Sequence, residues 1–422
     1  MPSKALQWGL AAGALAAALG AGLYVWAGDG PAAPLEAAPA APAANAALPA
    51  PAAGAATPAA AQERAARRQV LAENVQLTDH TYCDYREGSK YPVESRPIAD
   101  HPDQVYPNAP ITEAGPMRTD GGGADPKVKI QTSQSRVFLG AGEGVAFSLR
   151  ATDADGKVLP LVVTRALAKG VANQGARSTP QATLAFADDG AGADPAAGDG
   201  AFAAVLVPAQ GALAAFNGTI RTEVRYNAGG SNGVLIFDVI HTPELPATWT
   251  GQVREANEGG SLHFYLGAQM RTAGRYIVTG RVDDAKGRPF ALLTFNDVLP
   301  AGANEIKLTA FGKLLLDKEP ALPLVLRDVD GYLLKENTDP DRALMPRLEG
   351  KVYTGKGKQL KNLSGAEWNS EERERYLKEF GKDLVAARRA LAEFDPAQAL
   401  PAPGCAAGAA LAGAPANGQG GG

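Results

Sequence analysis

Polar and apolar residues alternate most clearly over Thr219–Tyr226. Ile220, Thr222, Val224 and Tyr226 would share one face of a strand, and Arg221, Glu223 and Arg225 the other. A Gly/Asn/Ser stretch at 227–233 follows, then a second β-branched run at Val234–Ile240, which predicts a hairpin. Shorter runs at 128–131, 136–139, 144–151, 158–165, 181–187 and 201–207 predict further strands, with Asp155-Gly156 as a tight turn. The same style returns at 261–266, 275–282, 290–296, 304–312 and 323–327, with a turn over 284–287.

Short strands at this spacing predict a mainly β protein with two immunoglobulin-like sandwiches, over 126–243 and 244–355. Helical periodicity appears twice. A short helix is expected over 62–77, and a longer amphipathic one from Leu363 to Phe394, within a helical region at 356–395. Ser364 and Glu367 would form its capping box, and Leu377, Phe380, Leu384 and Leu391 its apolar face. Within 63–125, residues 78–125 keep no period and read as ordered coil. A 31–62 stretch of Ala and Pro reads as an extended spacer, and 396–422 as an Ala/Pro/Gly tail.

The first thirty residues have a different pattern. Lys4 precedes an uncharged run from Ala5 to Ala27, long enough to cross a bilayer, with Trp8 near one end and Tyr24 and Trp26 near the other. Asp29 follows. Positive charge before the run places the remainder outside the cytoplasm, in the periplasm or at the cell surface. The run reads as a retained anchor partnering the membrane through residues 5–27, or as a signal peptide cleaved after Ala27, which would release the chain. A third reading, a buried helix of a soluble protein, is unattractive because the Ala/Pro stretch follows at once.

Composition removes several function classes. The 41 basic and 45 acidic residues leave a net charge of −4, which gives no electrostatic reason to expect nucleic acid. The sequence lacks H-E-x-x-H and the phosphate- and dinucleotide-binding glycine motifs. Gly229-Gly230-Ser231-Asn232-Gly233 fits G-x-S-x-G, but strands on both sides cannot make a nucleophile elbow. Two cysteines, Cys83 and Cys405, could be bridged in an oxidising compartment or remain separate thiols.

Candidate chemistry concentrates in acidic loops. Asp188, Asp189, Asp194 and Asp199, interleaved with glycines, could converge on a calcium ion, or could cap local backbone amides in Asx-turns. Asp328, Asp330, Glu336, Asp339 and Asp341 form a second acidic group. His80, Cys83 and His101 carry zinc-type donors, with Asp79 or Asp84 assisting, but their spacing matches no compact zinc module.

The loop at 188–202 resembles one in immunoglobulin-like modules of bacterial exported proteins. Gly274–Asp284, Leu324–Arg347 and Glu367–Glu372 resemble uncharacterised bacterial proteins with a "choice-of-anchor" domain, over about residues 78–394. The resemblance implies export and β-rich architecture, and carries no catalytic residue. The leading expectation is a membrane-anchored, non-catalytic envelope module that binds a protein or glycan or serves a structural role. An exported enzyme using His80, Cys83, Asp84, Arg86 and His101, and an accessory subunit docking through the 364–394 helix, are the alternatives.

Overall fold

A computed structural model describes residues 57–172, 179–357 and 361–405. The expected anchor lies outside them, as do most of the spacer and the chain beyond 405. Among the described residues no helix is long and apolar enough to cross a membrane. The chain divides into two units, Met1–Gln62 and Glu63–Gly422, and the second carries every strand from β1 to β18 below.

The protein is mainly β. Helix α1 (Pro58–Gly88) opens the described chain. Short β1 (Ser95–Pro97) follows, then β2 (Ile111–Arg118), β3 (Ala124–Gln134), β4 (Phe138–Leu139), β5 (Val145–Thr152), β6 (Leu161–Gly170), β7 (Gln181–Thr183), β8 (Ala201–Leu206), β9 (Gly218–Ala228) and β10 (Ser231–His241). The second half holds β11 (Ala247–Glu258), β12 (Ser261–Met270), β13 (Gly274–Asp283), β14 (Pro289–Leu299), β15 (Gly302–Ala310) and the short helix α2 (Gly312–Lys318). It ends with β16 (Val325–Leu334), β17 (Arg342–Leu344), β18 (Leu348–Thr354) and helix α3 (Glu371–Phe394).

Four sheets form two pairs. One layer, β2-β3-β5-β8, faces β4-β10-β9-β6-β7. Ile130, Leu149 and Leu206 from the first meet Ile220, Val224 and Val239 from the second in one core. Phe147 and Phe237 stack across the gap with ring centroids 4.5 Å apart. The alternation along β9 makes this possible: Ile220, Thr222, Val224 and Tyr226 are buried while Arg221 and Arg225 face water. The second pair is β11-β12-β15 against β1-β14-β13-β16-β17, with β18 also on β16. Phe264, Leu266, Ile306 and Leu308 of the former pack on Tyr276, Val278, Leu293 and Leu326 of the latter. Truncating a side chain as deep as Phe264 to Ala would cost about 3–5 kcal/mol.

Three sequence expectations need correction. The stretch 78–88 is not coil but the last turns of α1, because Val75 and Tyr82 continue a buried face that α3 covers. Residues 111–118 are a strand, hidden from pattern reading by Gly115, Pro116 and its exposure at a sheet edge. The α3 cap is Ser370, whose side chain accepts from Arg373 N at 3.1 Å, not Ser364. Glu367 cannot complete a capping box because two arginines hold it. Glu371, Glu372 and Glu374 then fill the first turn, where the helix dipole favours negative charge.

Candidate functional site

The loop between β7 and β8 brings Asp188, Asp194 and Asp199 together. One carboxylate oxygen from each lies within 4.8 Å of the others, and Asp194 is 3% exposed. Asp189 stays outside this triad and accepts from Ala191 N at 3.0 Å. The loop is also self-supporting. Asp188 takes amides from Gly198 (2.7 Å), Asp199 (3.2 Å) and Gly200 (2.9 Å). Asp194 takes Gly190 N (2.6 Å) and Ala196 N (3.2 Å). Gly200 has φ +84°, and a Cβ there would sit 2.5 Å from Val158 Cγ1, so glycine is required twice over. Arg150 fastens the loop to β5 by donating to the Asp199 carbonyl at 2.8 Å.

Three members of the second acidic group, Asp328, Asp330 and Asp341, are spent on arginines, while Glu336 and Asp339 are exposed. Arg281, 2% exposed on β13, donates to Asp330 Oδ2, to Asp328 O (2.8 Å) and to Gln104 Oε1 (2.7 Å). Arg327 bridges Asp283 and Asp328, both at 2.7 Å. Asp341 pairs with Arg342, whose guanidinium lies 4.6 Å from the Phe138 ring and 4.8 Å from the Tyr332 ring. That guanidinium, first among the causes, holds the Asp341 carboxyl below its ordinary value. A cleft of about 250 Å³ opens here, lined by Gln104, Asn108, Arg281, Tyr332, Arg342 and Arg347. Arg347 closes it toward the first sheet pair, with Nη1 2.6 Å from both Glu143 oxygens. These ion pairs and hydrogen bonds join three parts of the chain: the 98–108 segment, through Gln104 and Asn108, and the two sandwiches.

The zinc and enzyme readings lose their sulfur ligand. Cys83 is bonded to Cys405, 322 residues away in sequence. His80 pairs with Asp84 at 3.1 Å on the exposed side of α1, Arg86 binds Glu367, and His101 sits between two 3-10 turns. Gly229 and Gly230 form the tight turn joining β9 to β10, so Ser231 stands at the start of a strand rather than on an elbow. The apolar face of α3 is covered: Leu384 meets Tyr82, while Ala387 and Leu391 meet Val75.

Two features had little signal in sequence. The bridge was one of two options for two cysteines, and only the course of 395–405 along α1 decides it. The buried Arg281 needed the β13–β16 register to reveal its carboxylate.

No family model and no curated protein matches the chain. Among solved structures, a DUF4785 family protein from Legionella pneumophila is similar at 12% identity and a TM-score of 0.36, over 53% of this chain and 57% of that one. The alpha-2-macroglobulin of E. coli is similar at 16% identity and a TM-score of 0.25, over 56% of this chain and 15% of that one. The Yersinia pseudotuberculosis adhesin InvE is similar at 10% identity and a TM-score of 0.16, over 51% and 58%. The chain thus spans little more than half of the first of these. At such scores the likenesses carry no functional argument.

Proposed function

We propose that the chain is an exported envelope module, tethered by residues 5–27 or released after Ala27, and acts outside the cytoplasm as a non-catalytic binding or structural body. The observation that carries this reading is the Cys83–Cys405 bridge. Disulfides persist in oxidising compartments and are rare where thiol reductants dominate. The charge bias around Ala5–Ala27 supports the same direction of transfer. The immunoglobulin-like assignment is supported by how the first strand region changes sheets. β3 pairs with β5 in one layer, and β4 then pairs parallel to β10 in the other.

Within this body the 188–199 loop takes a calcium ion. Donors 2.3–2.6 Å from calcium can stand up to about 5 Å apart, which suits the spacing of Asp188, Asp194 and Asp199. Asp188 Oδ2, both Asp194 oxygens and Asp199 Oδ1 each accept one amide and so keep a second lone-pair site for a cation.

The placement is tested by fractionating cells that express the full chain and treating each fraction with a thiol-reactive polyethylene glycol, before and after reduction. Membrane or exported material that shifts only after reduction is expected. Cytoplasmic material with two reactive thiols would overturn the reading.

A further inference from the structure

We infer that the Cys83–Cys405 bridge is a mechanical bypass: tension between the chain entering α1 and the chain leaving after Cys405 never reaches the β-sheets. The covalent path runs along α1 to Cys83 and crosses the sulfur–sulfur bond to Cys405. Residues 84–404, which contain every strand from β1 to β18, form a closed loop off that path.

The segment 395–405 is laid out for this. It runs alongside α1 in the same direction, as a strap. Arg68 of α1 holds Asp395 at 2.6 Å and also bonds Gln398. Leu400 joins Leu71, Ala72 and Val75 in one apolar cluster further along. Gly404 N then donates to Asp79 Oδ2 at 2.6 Å, one turn before Cys83. On the other side Arg388 of α3 donates to Pro401 O at 2.9 Å. Ion pair, apolar contact, hydrogen bond and covalent bond follow one another along α1, so the strap reaches Cys83 already aligned.

The consequence is mechanical. Without the bridge, a pull on the two ends would reach the sheets through α1 and α3, and strands would peel. With it, among the described residues only the α1 segment before Cys83 can lengthen. Uncoiling a helix from ~1.5 to ~3.6 Å per residue over that segment releases about 5 nm. Opening the loop releases about 110 nm, from 322 residues at ~3.4 Å each. Loops carried by the sheets, including 188–199, keep their shape while the ends are under load. This property belongs to the folded chain wherever it is located, so it can fail or hold independently of the export reading.

The test is optical-tweezer stretching of the full chain with handles at its two ends. Residues 58–405 of the oxidised protein are expected to contribute a transition of about 5 nm at most, and Cys83→Ser and Cys405→Ser to add a release of about 110 nm. Adding a dithiol reductant to the wild-type chain already held in the trap should produce the same long release, which covers the case of a variant that folds poorly. A long release from oxidised wild-type protein, or no change on reduction, would overturn the bypass.

Discussion

Arg373, at the start of α3, donates from Nη2 to Glu367 Oε2 at 2.6 Å while remaining only 7% exposed. Its Nε reaches Ser89 Oγ at 2.9 Å, and the other Glu367 oxygen accepts from Arg86 at 3.1 Å. One carboxylate therefore ties the first turn of α3 to the last turn of α1. Desolvation opposes ionisation of Glu367, but the two guanidinium groups outweigh it and lower its pKa. Arg373→Ala should cost about 2 kcal/mol, since it leaves a half-buried carboxylate with one partner fewer. The loss should be local. Hydrogen exchange is expected to speed up in α1 and α3 and to stay unchanged in β9 and β13. Equal acceleration in the sheets would show that the clamp does not act where the hydrogen bonds place it.

Asp284 governs a separate acid transition. It sits in the turn between β13 and β14, where burial would raise its pKa. The Arg288 side chain and the amides of Lys286 (2.8 Å) and Arg288 (3.0 Å) outweigh that burial and hold the carboxyl at about 2. A carboxyl depressed by folding contributes stability above its unfolded pKa and loses it as pH falls through the folded value. The stability difference between wild type and Asp284→Asn should be full at pH 5, shrink below about pH 4 and be mostly gone by pH 2, vanishing below it. Urea unfolding at each pH measures it. A difference that stayed constant down to pH 2 would contradict the assigned carboxylate.

Many strand positions with one buried face were legible, but the buried second half of β16, beyond the expected 323–327, and short β17 were not. β9 shows clean alternation, β10 a β-branched apolar run, and the turn at 284–287 announces itself through Asp and Gly. Legibility failed where burial comes from a distant partner. Tyr82 looks like a coil tyrosine until Leu384 covers it, and β2 is too exposed to alternate. The acidic sites divided in the same way. Asp188, Asp194 and Asp199 are close in sequence, and their convergence follows from loop length and glycines. Asp330 and Arg281 belong to different strands, so their pairing needed the register. Composition could not distinguish a metal-ready carboxylate from one already neutralised.

Two buried histidines set the behaviour between those extremes and neutrality. His241 is 1% exposed, with Nδ1 2.6 Å from Phe216 O, so that nitrogen donates. His263 lies between β11 and β15, with Nε2 3.0 Å from Glu258 O and Nδ1 2.9 Å from Thr309 Oγ1. Desolvation lowers the pKa of both. The unfolded chain then takes up protons near pH 6.5 that the folded chain refuses, so stability must fall as pH drops below about 7. The urea midpoint should decline from pH 7.5 to 5.5, and His241→Asn should flatten the decline. An identical slope in the variant would show that His241 is protonated within the fold.

Calcium separates the triad from its neighbours. Asp199→Asn keeps an oxygen for Ala201 N, 2.8 Å away in the native loop, yet removes one charge from the three converging carboxylates. Asp189→Asn removes an equal charge just outside the triad. If the ion binds with the sub-millimolar to millimolar affinity usual for extracellular modules, 5 mM calcium should raise the wild-type melting temperature by about 5 °C. Asp189→Asn should keep most of that rise and Asp199→Asn should lose it, with both variants folding normally in chelator. A shift lost equally in the two would indicate diffuse attraction to an acidic surface. No shift in the wild type would leave the loop held by its Asx hydrogen bonds alone, with Asp194 capping Gly190 and Ala196 as its whole role.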